Sequence, residues 1–333
     1  MLTSLLLLPL ALASPTPSLT TTTQIPLILW HGLGDNYAAD GIASVAKLAE
    51  QSNPGTFVYP IRLADDASGD RSASFFGNLT EQLDSVCEDL AAHPILSQAP
   101  AVNALGFSQG GQFLRAYISR CNAPPVRNLV TFGSQHSGIS SFQSCSVGDW
   151  LCHTFSSLLH SNAYGEFAQG RLVPAQYYRT LNRTTRRATR EYLDASNFLA
   201  DVNGEREGER NTTYARNMAG LEKFVMYVFE DDKTVVPKES GWFADVYEPE
   251  EEGDGKTERE VVPLRNTTLY KEDWIGLKEL DEKKGLVFRT HPGEHMQLDD
   301  DVLESVFKEF FGPSKSKGES LVEQHGQSGK WEF

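Results

Sequence analysis

The sequence predicts an α/β protein, a mostly parallel central sheet flanked by helices on both faces. Three observations carry that prediction. Apolar runs of strand length alternate with segments of helical period over most of the 333 residues. One such run, Ala101-Val-Asn-Ala-Leu-Gly-Phe107, breaks into a sharp Gly106-Phe-Ser108-Gln-Gly110 turn that opens at once into a helix. Downstream, an aspartate and then a histidine each follow the end of an apolar strand.

Each element can be justified in order. Ile25-Pro-Leu-Ile-Leu-Trp30 is the first strand, since Pro26 fits only at a strand's beginning, and it runs into the glycine-rich turn His31-Gly-Leu-Gly-Asp35. Ile42, Val45, Ala46 and Ala49 recur at helical spacing. Thr56-Phe-Val-Tyr59 is the second strand, stopped by Pro60; Leu79, Leu83, Val86 and Leu90 mark a helix. The Ser108 turn follows, with its helix continuing through Gln112-Phe-Leu-Arg-Ala-Tyr-Ile-Ser119, and then the strand Val126–Phe132.

From about Gly138 to Leu221 the alternation stops. Phe155, Leu158 and Leu159 share one helical face, and Tyr164, Phe167, Tyr177, Tyr178, Tyr192, Phe198 and Leu199 lie among polar residues. This stretch, 138–221, reads as a helical insertion over the C-terminal edge of the sheet, where ligands bind in such folds and where water must be excluded. Lys223–Phe229 and Gly285–Thr290 are the remaining strands, the latter leading into the loop His291-Pro-Gly-Glu-His295. Asp299–Phe311 is the last helix, with acids in its first turn where the dipole favours them. Residues 248–260 form an acidic, flexible surface insert, and 313–333 lack any apolar period and read as a disordered tail. The domain is therefore expected to span 25–312.

The N-terminus reads as a signal peptide over 1–13: Leu5–Ala13 is a short apolar run ending in Ala11-Leu-Ala13, too short to cross a bilayer. Residues 14–24 follow as a disordered leader. No other run is long and apolar enough for a membrane span. The formal net charge of −15 and pI near 5.0 exclude a basic nucleic-acid footprint. Near pH ~5 that charge would approach zero, which leaves transient contact with a membrane surface open. The four cysteines, Cys87, Cys121, Cys145 and Cys152, behind a signal peptide suggest two disulfides. Three pairings exist. Cys145 and Cys152 close a short loop and are natural partners, while Cys87–Cys121 would staple two predicted helices. No metal-type spacing is present. Sequons at Asn78, Asn182, Asn211 and Asn266 support passage through the secretory pathway.

A serine nucleophile needs a base, an orienting acid and an oxyanion hole. Ser108 occupies the elbow, and the order Ser…Asp…His is that of an α/β-hydrolase. Asp232 lies just past the strand ending at Phe229, with Asp231 its close competitor. His295 sits between the last strand and last helix, with His291 and His31 as alternatives. One oxyanion amide should come from Gln109, the residue after the nucleophile, and the other from the turn around Leu33, whose flanking Gly32 and Gly34 let the backbone approach a carbonyl.

At this point the residues resemble the palmitoyl-protein thioesterases. The segments that carry the resemblance, in order, are Trp30-His-Gly-Leu-Gly-Asp35, Gly106-Phe-Ser-Gln-Gly-Gly-Gln-Phe-Leu-Arg115, Gly133-Ser-Gln-His-Ser-Gly138, Lys223-Phe-Val-Met226 and Gly293-Glu-His-Met-Gln-Leu298. Leu33 stands where the family usually has Met, and a cysteine pair of animal members is absent around Asn36-Tyr37-Ala38. The resemblance implies a triad of Ser108, Asp232 and His295, oxyanion amides on Leu33 and Gln109, and the disulfides Cys87–Cys121 and Cys145–Cys152. It also implies an insertion forming a groove for a fatty acyl chain. The activity expected is hydrolysis of long-chain acyl thioesters from S-palmitoylated proteins or peptides, with no metal and no cofactor, in a lysosome, a vacuole or the extracellular space. A lipase or carboxylesterase acting on oxygen esters would use the same triad. A non-catalytic lipid binder would have no use for Ser108 beside His295.

Overall fold

The structure, a computed structural model, describes residues 24–141, 162–249, 251–252, 255–256 and 258–313. The expected signal peptide over 1–13, the expected leader apart from Gln24, Cys145, Cys152, Phe155, Leu158, Leu159 and the expected tail from 314 lie outside the described residues.

Six strands build the central sheet: β1 (Leu27–Trp30), β2 (Val58–Pro60), β3 (Val102–Phe107), β4 (Val126–Phe132), β5 (Lys223–Phe229) and β6 (Leu286–His291). Their spatial order is β6-β5-β4-β3-β1-β2, and every neighbouring pair is parallel. β1 and β3 are buried along their whole length, which is why they read as unbroken apolar runs instead of alternating ones.

Alternation along each strand sorts the side chains into two core layers. Ile28, Trp30, Ala104, Leu129, Phe224 and Met226 face the layer containing helices α3 (Leu79–Ala92) and α4 (Gln109–Arg120) and part of the insertion. Leu27, Leu29, Leu105, Phe107, Val130, Phe132 and Phe229 face α1 (Asp40–Ser52) and the final helix, α5 (Asp300–Phe310). This parallel sheet, covered on both faces and carrying a strand–elbow–helix at β3, has the α/β-hydrolase architecture.

Several boundaries differ from expectation, each for a physical reason. Pro60 does not stop β2 but closes it, registered opposite Leu29; β2 is the edge strand, where a missing N–H is tolerated. β6 runs one residue further, to His291, whose ring packs edge-on against Phe229 at 5.7 Å. The insertion is not purely helical. Between the helices Glu166–Arg171 and Arg190–Ala195 it carries a hairpin of Leu181–Asn182 with Arg187–Ala188. The acidic stretch is likewise more than loop: Glu251–Glu252 pairs with Gly255–Lys256, and Glu260–Val262 with Asp245–Tyr247.

Cys87 in α3 and Cys121 directly after α4 form a disulfide with a Cα–Cα distance of 6.0 Å. Asn182, Asn211 and Asn266 are exposed; Asn78 is half-buried and caps α3 by accepting from the amides of Thr80 and Glu81. Among the described residues no helix is long and apolar enough to cross a membrane.

Candidate active site

The β3–α4 turn is possible only with glycine on either side. A Cβ on Gly106 would lie 2.3 Å from the Cα of Gly111, and one on Gly110 would lie 2.3 Å from the carbonyl oxygen of Trp30. The backbone between them is forced into an uncommon state: Ser108 has φ 52° and ψ −125°. Its side chain is thereby held out of the sheet, at the N-terminus of a twelve-residue helix whose positive dipole end faces it.

Three strand ends converge here. His295, on the loop after β6, has Nε2 at 3.0 Å from Ser108 Oγ. Its Nδ1 lies 2.7 Å from Asp232 Oδ2, on the loop after β5. The other carboxylate oxygen of Asp232 accepts from the amides of Thr234 (2.9 Å) and Val235 (3.0 Å), so its orientation is fixed by its own turn. The Asp232 side chain is 1 % exposed and that of His295 14 %, a chain of polar contacts largely withdrawn from water. The structure thus brings Ser108, His295 and Asp232 together. Asp231 points outward, with only its amide engaged, to the carbonyl of Gly293. His291 and His31 do not reach Ser108; His31 is committed elsewhere.

That commitment was not legible in the sequence. His31 Nε2 sits 2.9 Å from Asp70 Oδ2, and both side chains are buried. Asp70 also accepts from the amides of Tyr37 (2.7 Å) and Leu63 (2.6 Å). Burial pushes its carboxyl up, but the close contact with the His31 ring and the hydrogen bonds from those two amides outweigh this and hold it below the ordinary aspartate value. One helical turn further on, Ser74 accepts from the Gly34 amide at 2.9 Å, and its carbonyl accepts from Gln109 Nε2 at 3.1 Å. Helix α2 (Ala67–Phe75) therefore anchors both walls of the site: the Gly32–Gly34 loop and the first residue of α4. The only signal in the sequence was the i, i+4 spacing of Asp70 and Ser74, which places two polar residues on one helical face. Among the described residues, no hydrogen bond occupies the amides of Leu33 and Gln109.

A cavity of about 540 Å³ opens over Ser108 and His295. Its apolar lining comes from Ile42 and Val45 of α1, Leu298 and Leu303 around α5, and Phe107 and Met296. Of the insertion, Ile139 and Tyr177 contribute among the described residues, and Phe155, Leu158 and Leu159 lie outside them. Helices α1 and α5 lie on the same face of the sheet and meet beside the His295 loop, which is why their apolar stripes serve core and cavity at once.

Comparison with known proteins agrees with this arrangement. The family model described as palmitoyl protein thioesterase matches residues 26–295. The chain is 38 % identical over 292 residues to palmitoyl-protein thioesterase 1 of Caenorhabditis elegans, covering 87 % of this chain and 93 % of that one. It is 32 % identical to palmitoyl-protein thioesterase 3 of Dictyostelium discoideum, over 86 % of this chain and 89 % of the other. It is 28 % identical to the lysosomal thioesterase PPT2 of Homo sapiens, over 85 % and 86 % respectively. With the match running through the elbow, the acid loop and the histidine loop alike, the chain belongs to the palmitoyl-protein thioesterase family.

Proposed function

We propose that this protein is a serine hydrolase that removes long-chain fatty acyl groups from cysteine thioesters of S-palmitoylated proteins or peptides. The observation that carries the reading is the continuous hydrogen-bonded chain Ser108–His295–Asp232 at the floor of an apolar cavity. Asp232 accepts from Nδ1, which fixes the tautomer with the Nε2 lone pair aimed at Ser108. His295 takes the Ser108 proton as Oγ attacks the thioester carbonyl. The oxyanion is received by the free amides of Leu33 and Gln109, assisted by the α4 dipole. As the tetrahedral intermediate collapses, the C–S bond breaks and the sulfur leaves readily, since a cysteine thiol has a pKa of about 8.5; it takes the proton from His295, which returns to its neutral form. Water activated by His295 then hydrolyses the acyl-Ser108 ester. The chemistry draws on no metal and no organic cofactor.

The signal-peptide-like N-terminus, the four sequons and the Cys87–Cys121 disulfide support a place in the secretory pathway. The lysosomal name of one relative supports a lysosomal or vacuolar destination, with secretion as the alternative. The deciding experiment compares turnover of a palmitoyl thioester and the matching palmitate oxygen ester by the wild type and by Ser108→Ala. The expected result is a preference for the thioester that disappears with the hydroxyl. A preference for the oxygen ester would make the protein a lipase or carboxylesterase, and activity surviving in Ser108→Ala would remove Ser108 from its role.

A further inference from the structure

One polar side chain in the cavity wall has no hydrogen-bond partner among the described residues. Gln135 is 2 % exposed and lines the cavity together with Ser108 and His295. Its Oε1 is buried without a partner, and its Nε2 makes no hydrogen bond to any described residue. Buried carboxamides in folded proteins are almost always paired. The backbone beneath it is fixed: the Gln135 carbonyl accepts from Gln112 Nε2 and from the Gly138 amide. The loop also lies directly against the histidine, since a Cβ on Gly133 would come within 2.9 Å of His295 Cε1. Gln135 thus lines the same cavity as Ser108 and His295, with its Oε1 unpaired. Rotation about the terminal torsion exchanges its two polar atoms, so it can present a donor or an acceptor to the cavity.

The substrate has few groups that could answer it. The acyl chain has no polar atom. The carbonyl oxygen is taken by the Leu33 and Gln109 amides. What remains is the leaving group. In an S-acylated peptide cysteine, a secondary amide nitrogen stands two carbons from the sulfur. An acyl thioester of a cysteamine amide carries the same secondary amide at the same distance.

We propose that Gln135 is a specificity residue that hydrogen-bonds this amide, so that the enzyme reads the thiol it releases as well as the acyl chain it removes. The proposal rests on the thioesterase reading given above. A site built around a hydrogen bond to a substrate N–H discriminates against an analogue that lacks it, because the protein group is then left unpaired.

The test uses two S-octanoyl thioesters, of N-acetylcysteamine and of 2-acetoxyethanethiol, the second replacing the amide N–H by an ester oxygen while keeping the carbonyl. The quantity read is the ratio of their kcat/KM values, compared between wild type and variant so that intrinsic reactivity cancels. The wild type is expected to favour the amide by about 10-fold. In Gln135→Leu the ratio should fall to near 1. Gln135→Met, closer in length to the native side chain, should do the same and serves if the leucine variant does not fold. A wild-type ratio near 1, or a ratio that survives both substitutions, would overturn the proposal and leave the carboxamide to a buried water, with the thioesterase reading intact. Failure of the wild type to cleave either thioester would overturn both.

Discussion

Asp70→Asn is the perturbation with the most to say about how this site is held. The native carboxylate accepts two hydrogen bonds, from the Leu63 amide on Oδ1 and the Tyr37 amide on Oδ2, and its Oδ2 also lies 2.9 Å from His31 Nε2. Asparagine offers one oxygen, and in either orientation its NH₂ faces a buried N–H. At least one donor is left unpaired, at about 1–3 kcal/mol, and the bonds that survive lose the assistance of charge. The sum is about 3–5 kcal/mol, the range found when one member of a buried pair is removed. At roughly 2–4 °C per kcal/mol, Tm should fall by about 6–20 °C. Because His31 leads straight into the Gly32–Leu33 amides, kcat should also fall, by about 10–100-fold, short of the 10²–10³ for outright loss of an oxyanion donor. The pH dependence follows from the depressed carboxyl. Its contribution to stability is fully present above the unfolded value of about 3.9 and is lost as pH falls through the lower folded value. The Tm gap between wild type and variant should therefore be constant from pH 7 to about 5 and narrow below about pH 4. Differential scanning fluorimetry across that range, with kcat at pH 7, is the assay. A variant within 2 °C of wild type and equally active, or a gap unchanged down to pH 2.5, would refute the anchoring role.

Three other outcomes are expected. Asp232→Asn should lower kcat by on the order of 10⁴ through loss of the histidine tautomer, whereas Asp231→Asn should stay within a few-fold; steady-state kinetics with the reverse ranking would move the acid by one residue. Gly133→Ala places a methyl against the His295 ring at a φ of +57°, so kcat should drop about 10–100-fold with KM little changed, and an unaltered kcat would show that the loop yields. On acyl thioesters kept below their critical micelle concentration, kcat/KM should rise from C4 to about C14–C16, because each CH₂ buried is worth up to roughly 0.8 kcal/mol, of which binding costs leave a part. Val45→Gln, in the α1 wall, should flatten that rise; a maximum at C2–C4 in the wild type would refute an acyl-binding cavity.

The parallel sheet was readable because β1, β3 and β5 are buried on both faces, and burial leaves an unbroken apolar run in the sequence. The elbow was readable because sterics allow so little besides glycine at Gly106 and Gly110. The choice between Asp231 and Asp232 was not readable from spacing alone, since adjacent residues after a strand point to opposite sides; the family resemblance placed it on Asp232, which the structure brings to His295. Nor was the Asp70–His31 pair readable: it depends on the turn after β1 meeting α2 across thirty-nine positions, and α2, small and polar but for Phe75, has no apolar stripe to betray its docking. The cavity wall was hidden for another reason. Ile42, Val45 and Leu303 sit at positions any core-facing helix would fill with hydrophobic residues, and a pattern of periodicity does not distinguish a face that meets protein from one that meets substrate.

The bond between Cys87 and Cys121 closes a loop of 34 positions, and inside that loop lie β3, Ser108 and the whole of α4. By chain entropy such a closure is worth about 3–4 kcal/mol, a large part of the stability a domain possesses. The brace is therefore fastened around the module that carries Ser108, and it holds only where thiols stay oxidised. A copy stranded among cytosolic reductants would lose that brace, and with it about 3–4 kcal/mol of stability around the elbow. The redox state of the surroundings thus sets how firmly the strand–elbow–helix unit is held, without any change in its sequence.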